Sequence, residues 1–129
     1  MKMVFLTFGL LLSWVAIDLY IRGLHRYPQS PAWTATGGDP YRGKQAILRY
    51  GCLGCHEVAG IRDSRGRVGP QISNYKQQIY IAGLLPNTPE NLISWIKDPQ
   101  QHNPATAMPN LGVSDQDARD IAAYLYRAN

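Results

Sequence analysis

The sequence predicts an all-α domain standing behind a single transmembrane helix. Three observations carry that expectation. An apolar run, Met3 to Ile21, opens the chain. Three helix starts follow it, at Asp39-Pro40, Thr88-Pro89 and Ser114, each with a capping residue and an apolar stripe behind it. No strand-period alternation competes with them, and there is no internal repeat or low-complexity run. At 129 residues the chain has room for one small domain and little else.

Met3–Ile21 spans 19 residues and is broken only by Thr7, Ser13 and Asp18 as clearly polar groups. At about 1.5 Å per residue it nearly crosses a hydrocarbon core of about 30 Å. A cleaved signal peptide ends its apolar core in small residues at a cut site. Here Leu10-Leu11-Leu12 runs into Ser13-Trp14-Val15-Ala16, so a bulky Trp14 stands where a small residue belongs. The run then continues through Ile17, Leu19 and Ile21. Residues 1–26 are therefore expected to be an uncleaved anchor that meets membrane lipid through residues 3–21. Asp18 precedes Arg22 by four residues, the spacing of an interfacial pair on one helix face. A polar contact with a partner's membrane helix is the alternative. Residues 27–39, YPQSPAWTATGGD, carry the prolines, glycines and small polar residues of a flexible linker.

The domain is expected over 40–129. Its first helix starts at Pro40 behind the N-cap Asp39, turns Ala46, Ile47 and Tyr50 inward, and stops at Gly51. The second starts at Pro89 behind Thr88, carries Leu92, Trp95 and Ile96 on one face, and stops at Asp98-Pro99. Ser114 with Asp117 three residues on resembles a capping box, and Ala118, Ile121, Ala122 and Leu125 form the stripe behind it. The stretch Glu57 to Gly83 reads as loop. A domain this small has a thin core, which a bound apolar cofactor would thicken.

Both cysteines of the chain lie in Cys52-Leu53-Gly54-Cys55-His56, a CxxCH, the attachment signature of c-type haem. Thiols three residues apart on one side of a helical turn can each add to a porphyrin vinyl group, which leaves His56 against the iron. Gly54 has no side chain to hold the backbone off the ring. A thioredoxin-like site lacks its βαβ context. A zinc site would have to recruit His25 or His102 without tidy spacing. A disulfide across two residues is strained.

Met108 is the one methionine outside the expected anchor, in Ala107-Met108-Pro109-Asn110 just before the last helix. A thioether opposite imidazole raises the iron potential and closes the site to other ligands. A core-filling role is the plain alternative. His102 is a weaker candidate, since Gln100-Gln101-His102-Asn103 looks solvated.

Charge gives little by itself. Thirteen basic residues against nine acidic ones are thin for nucleic acid. Lys2 and the N-terminal amine against Arg22 and Arg26 lean towards a cytoplasmic domain. Covalent haem is installed on the outer side of an energy-transducing membrane, which overrules that lean. The expected location is the inner membrane, single-pass, with the haem domain on the periplasmic side.

With CxxCH early, Met-Pro late and a capped helix at each end, residues 40–129 resemble a class I cytochrome c. The run from Leu85 to Gln100, LPNTPENLISWIKDPQ, is similar to the cytochrome c domain fused to subunit II of some haem-copper oxidases. There is no room for that subunit's copper domain. The resemblance implies a class I cytochrome c fold around one covalent haem c, with the first and last helices crossing near Gly43. It implies that the carbonyl of Pro70, in Gly69-Pro70, accepts a hydrogen bond from His56. It places Trp95 on the haem edge, where its indole N–H could reach a propionate, with plain core packing equally open. Gln78 stands where the oxidase-fused domains carry an arginine, leaving Tyr75 or Lys76 as a propionate partner.

The function expected is a membrane-anchored monohaem electron carrier between respiratory or photosynthetic complexes. It is not an enzyme, since no catalytic acid, base or open coordination position is needed. The alternative is a fixed electron-entry subunit of a terminal oxidase, nitric oxide reductase or alternative quinol-oxidising complex. A five-coordinate gas sensor fits less well, because such proteins carry CxxCH near the C-terminus. From Arg42 to Arg67 six basic residues face Glu57 and Asp63, whereas acidic residues prevail from Ile79 onward. That asymmetry points to redox partners with an acidic docking face.

Overall fold

The computed structural model describes residues 13–18, 20 and 32–128. Helix α1 spans Pro40–Arg49, α2 Pro89–Lys97, α3 Pro99–His102 and α4 Asp115–Arg127. Short 3-10 turns stand at Ala32–Thr36, Cys52–Gly54 and Tyr75–Gln77. The capping residues read from the sequence explain the helix starts. The Asp39 carboxylate accepts from Tyr41 N–H, and the Thr88 hydroxyl from Asn91 N–H. Helix α1 ends where Gly51 takes a left-handed φ of 72°.

The frame is the crossing of α1 and α4. A Cβ on Gly43 would stand 1.9 Å from the Asp120 carbonyl oxygen, so the two backbones meet where only glycine fits. The crossing is tied by Asp120, which is 1% exposed. Its carboxylate accepts from Arg42 Nε at 2.8 Å, from Arg42 Nη2 at 3.1 Å and from Asp39 N–H at 2.7 Å. Burial pushes this carboxyl up, but Arg42, the Asp39 N–H and Gln116 outweigh it and hold it below its ordinary range. Helix α2 lays Leu92, Trp95 and Ile96 into the core that Ala46, Ile47, Ala118, Ile121, Ala122 and Leu125 complete.

Several expectations change. The tether expected over 27–39 is folded at its C-terminal end: Ala32–Thr36 is a 3-10 turn, Thr36 is buried, and Gly38 lies against the Arg119 carbonyl. Strands are present after all, in a two-residue antiparallel pair of β1 (Tyr80–Ile81) with β2 (Leu85–Pro86). They were not legible because two residues make no alternation. Asp98-Pro99 ends α2 but also starts α3, since the Asp98 carboxylate caps Gln101 N–H. The capping box at α4 is half made. Ser114 Oγ accepts from Asp117 N–H, but the Asp117 carboxylate accepts from the Ser114 hydroxyl at 2.8 Å rather than from its N–H, and from Arg49 at 2.7 Å and Tyr50 at 2.8 Å, linking α4 to the end of α1.

Residues 13–18 are helical, and Trp14, Val15 and Ile17 are exposed on them. Among the described residues no helix is long and apolar enough to cross a membrane. Most of the expected anchor, with Arg22 and the linker from Tyr27 to Pro31, lies outside the described residues.

Candidate functional site

The CxxCH segment forms one tight turn behind Gly51. Cys55 N–H and His56 N–H both donate to the Cys52 carbonyl, at 3.2 and 2.9 Å. Residues three apart on such a turn are neighbours, which brings the two thiols together. Both are free and half-buried. Burial pushes the Cys52 thiol up, so it stays protonated at neutral pH.

The loop from Glu57 to Ile72 returns to this turn and closes on it. Ile72 N–H donates to the Glu57 carbonyl at 2.7 Å, and Ala59 N–H to the Ile72 carbonyl at 2.9 Å, around a parallel bridge of Val58 with Ile72. Gly69 N–H donates to the Cys55 carbonyl at 2.9 Å. Inside the loop, buried Ser64 accepts from Val58 N–H at 2.6 Å and donates to the His56 carbonyl at 3.1 Å. Ser64 escaped sequence reasoning, because a lone serine in a loop carries no pattern. Gly66 did too: a Cβ there would stand 2.4 Å from the His56 backbone nitrogen. Gly54 is different, with no protein atom within 4 Å of a Cβ placed on it, so protein packing does not require that glycine.

The return of the loop fixes His56. Its Nδ1 stands 2.8 Å from the Pro70 carbonyl oxygen. A carbonyl can only accept, so Nδ1 is the donor here, which leaves Nε2 as the nitrogen that could bind a metal. The ring also lies flush on Gly69, where a Cβ would come within 2.3 Å of Cε1. An oriented imidazole with a free Nε2, one residue after two thiols, is the donor set a c-type haem needs on its proximal side. The residues fit the group.

Met108 is half-buried and packs at the rim of the same core cluster as Cys52. Its loop, 103–113, lacks regular structure. Met108 N–H donates to Thr106 Oγ1 at 3.3 Å, and its carbonyl accepts from Gln100 Nε2 at 2.9 Å. Trp95 is 7% exposed on α2, inside that cluster. His102, expected to be solvated, is half-buried, 2.8 Å from Ser94 Oγ and tilted over Trp95 with ring centroids 6.2 Å apart. Among the described residues no three His, Cys, Asp or Glu could together hold a metal ion, and His25 lies outside them. Tyr75 is buried, edge-on to Tyr126, and burial pushes its hydroxyl up, whereas Lys76 and Gln78 are exposed. A cavity of about 660 Å³ lies on the outer face of α2 between Ala35, Ile93, Lys97 and Arg119, and none of the cysteines, His56 or Met108 lines it.

The structure also narrows the basic surface. Arg42 and Arg49 are committed to Asp120 and Asp117 on α4. The loop with Arg62, Arg65 and Arg67 stays exposed, with Val68 beside it at 77% exposure.

The cytochrome c family model matches residues 41–128. Cytochrome c oxidase subunit 2 of Alkalihalophilus pseudofirmus is 32% identical over 109 residues, covering 84% of this chain and 30% of the relative. The subunit 2 proteins of Bacillus sp. strain PS3 and of Bacillus subtilis are 33% identical over 66 residues and 26% over 95. They cover 50% and 72% of this chain, and 18% and 27% of those relatives. The chain thus spans less than a third of the length of these relatives.

Proposed function

The chain belongs to the cytochrome c family, and from that premise we propose that it is a membrane-tethered monohaem carrier of single electrons between respiratory or photosynthetic complexes. Electron transfer is the family's work, and a covalently bound haem c is its cofactor. The haem supplies the one-electron Fe(II)/Fe(III) couple. In this reading Cys52 and Cys55 hold it through thioethers. His56, oriented by Pro70 and Gly69, would bind the iron through Nε2, and Met108 would offer its sulfur as the second protein ligand. Two ligands kept in both redox states leave little to reorganise. Trp95 walls the site with apolar surface. Tyr75 and Lys76 remain the two candidates for a propionate partner, the first buried and the second exposed.

The observation that carries this reading is the 2.8 Å contact of His56 Nδ1 with the Pro70 carbonyl. It sets the tautomer a haem ligand requires. The test is Met108→Ala in the haem-loaded protein. The midpoint potential is expected to fall, and the reduced form to bind carbon monoxide. An unchanged potential and spectrum would exclude Met108 as a ligand.

The proposed location is the inner membrane, with residues 1–26 as a single-pass anchor and the haem domain outside. The apolar run Met3–Ile21 and the exposed Trp14, Val15, Ile17 and Tyr20 support it. A second reading is a fixed electron-entry subunit, favoured by relatives that are named as oxidase subunits. Co-purification with other subunits at constant stoichiometry in mild detergent separates it from a shuttle.

A further inference from the structure

We infer that Gln100 is the residue that positions Met108 for the iron, acting from the one-turn helix α3. The inference rests on the reading of Met108 as a ligand. The loop 103–113 is held internally by short-range contacts: Thr106 N–H to the Asn103 carbonyl, Ala105 N–H to Asn103 Oδ1, and Gly112 N–H to Asn110 Oδ1. Such contacts shape the loop without fixing it to the domain. The bond from Gln100 Nε2 to the Met108 carbonyl, 2.9 Å long, comes from outside the loop and lands on the methionine itself. A carbonyl fixed in this way orients the peptide plane next to the Met108 side chain, and with it the sulfur.

The donor is itself anchored. Helix α3 is only Pro99–His102, too short to hold its place alone. Three contacts pin it. The Asp98 carboxylate caps Gln101 N–H, His102 Nε2 meets Ser94 Oγ at 2.8 Å, and the His102 ring lies over Trp95. Helix α2 thus reaches Met108 through α3, and Gln100 is the last link. Sequence reading passed over it because the Gln-Gln-His-Asn run looks like surface.

The test uses the full-length, haem-loaded protein. Gln100→Met keeps the bulk and removes the donor. One neutral hydrogen bond corresponds to roughly a fivefold change in an equilibrium. The fraction of oxidised molecules that has lost the sulfur-to-iron charge-transfer band is therefore expected to rise about fivefold at any temperature within the transition. Carbon monoxide binding to the reduced form should speed up by a similar factor. Gln100→Glu should do more at neutral pH, where a carboxylate faces a carbonyl, and recover on acidification, when a protonated carboxyl can donate again. A merely structural role would lower resistance to denaturant but leave the band and the carbon monoxide rate of the folded protein at their parental values. If either variant fails to load haem, Gln100→Asn, one methylene short of reach, should show the same loss. Met108→Ala is the reference. If it abolishes the band while the Gln100 variants keep parental band, potential and carbon monoxide rate, Gln100 does not position the sulfur. If Met108→Ala leaves the band intact, the ligand reading falls and the inference falls with it.

Discussion

The stretch that carries His56 and the stretch that carries Met108 are held by different means. His56 sits in backbone. The Cys52 carbonyl, the Gly69 amide and the Pro70 carbonyl enclose it, and glycine at 66 and 69 lets the chain close in. Met108 hangs in a loop whose start is tied to α3 by the Asn103 N–H to Pro99 carbonyl bond, and the methionine itself is fastened by the Gln100 side chain. Backbone hydrogen bonds within a closed loop shift together, whereas a side-chain tie can be lost singly. The His56 side should therefore respond to change all or none, and the Met108 side by degrees.

The largest effect should come from breaking the rigid side. Gly69→Val drives a branched side chain into the imidazole, where even a Cβ would stand 2.3 Å from Cε1. Overpacking of that kind costs about 3 kcal/mol, and here it also displaces the Pro70 bond. The yield of covalently haem-loaded protein, read from the spectrum of denatured samples, should collapse. Met108→Ala comes next: haem stays attached, but the potential falls and carbon monoxide binds. Equal haem yields from these two variants would erase the contrast between the sides.

A third variant sharpens the contrast from outside both sides. Asp120→Ala unties the α1–α4 crossing and strands the Asp39 N–H it satisfied, at about 2–3 kcal/mol. The folded Asp120 carboxyl titrates below its ordinary value, so its contribution is complete above the unfolded pKa and is lost as pH falls through the folded one. Denaturant unfolding should show the parent well above the variant at pH 7, with the two converging in acid. Carbon monoxide exclusion should not change.

The smallest effect concerns docking. A protein beginning at Tyr27, exported with a replacement signal, should fold, load haem and lose electron-transfer rate with salt, since exposed charges are screened within about 8 Å at physiological ionic strength. Charge reversal at Arg62, Arg65 and Arg67 should remove that dependence, whereas the membrane-held protein should show little of it. A rate flat with salt in the parent, unmoved by the reversals, would mean that contact is mainly apolar.

What could be read in advance was whatever is local. Asp39, Thr88 and Ser114 announce their helices because a cap acts within one turn. Cys52, Cys55 and His56 announce their chemistry because spacing alone makes it. Gly43 at the crossing and Pro70 beside His56 came through resemblance and are met in the geometry. What stayed hidden depends on contacts across the chain. His102 looked solvated until α2 supplied Ser94 and Trp95. Asp117 looked like half of a capping box until α1 supplied Arg49 and Tyr50. The 32–36 turn looked like tether because its small polar residues say nothing of the α4 groove they enter.

The crossing of α1 and α4 also bears on the order in which the domain assembles. Arg42 and Asp120 are 78 residues apart in sequence, and the CxxCH turn lies between them. Long-range closure of this kind comes at a loop-entropy cost that local contacts do not repay, so it belongs late in folding. Helix α4, Asp115–Arg127, therefore joins the frame after the local turns on its N-terminal side have formed. Cys52 and Cys55 both lie inside the loop that this contact closes. The last contact of the frame to form is thus the one that closes the loop carrying both thiols.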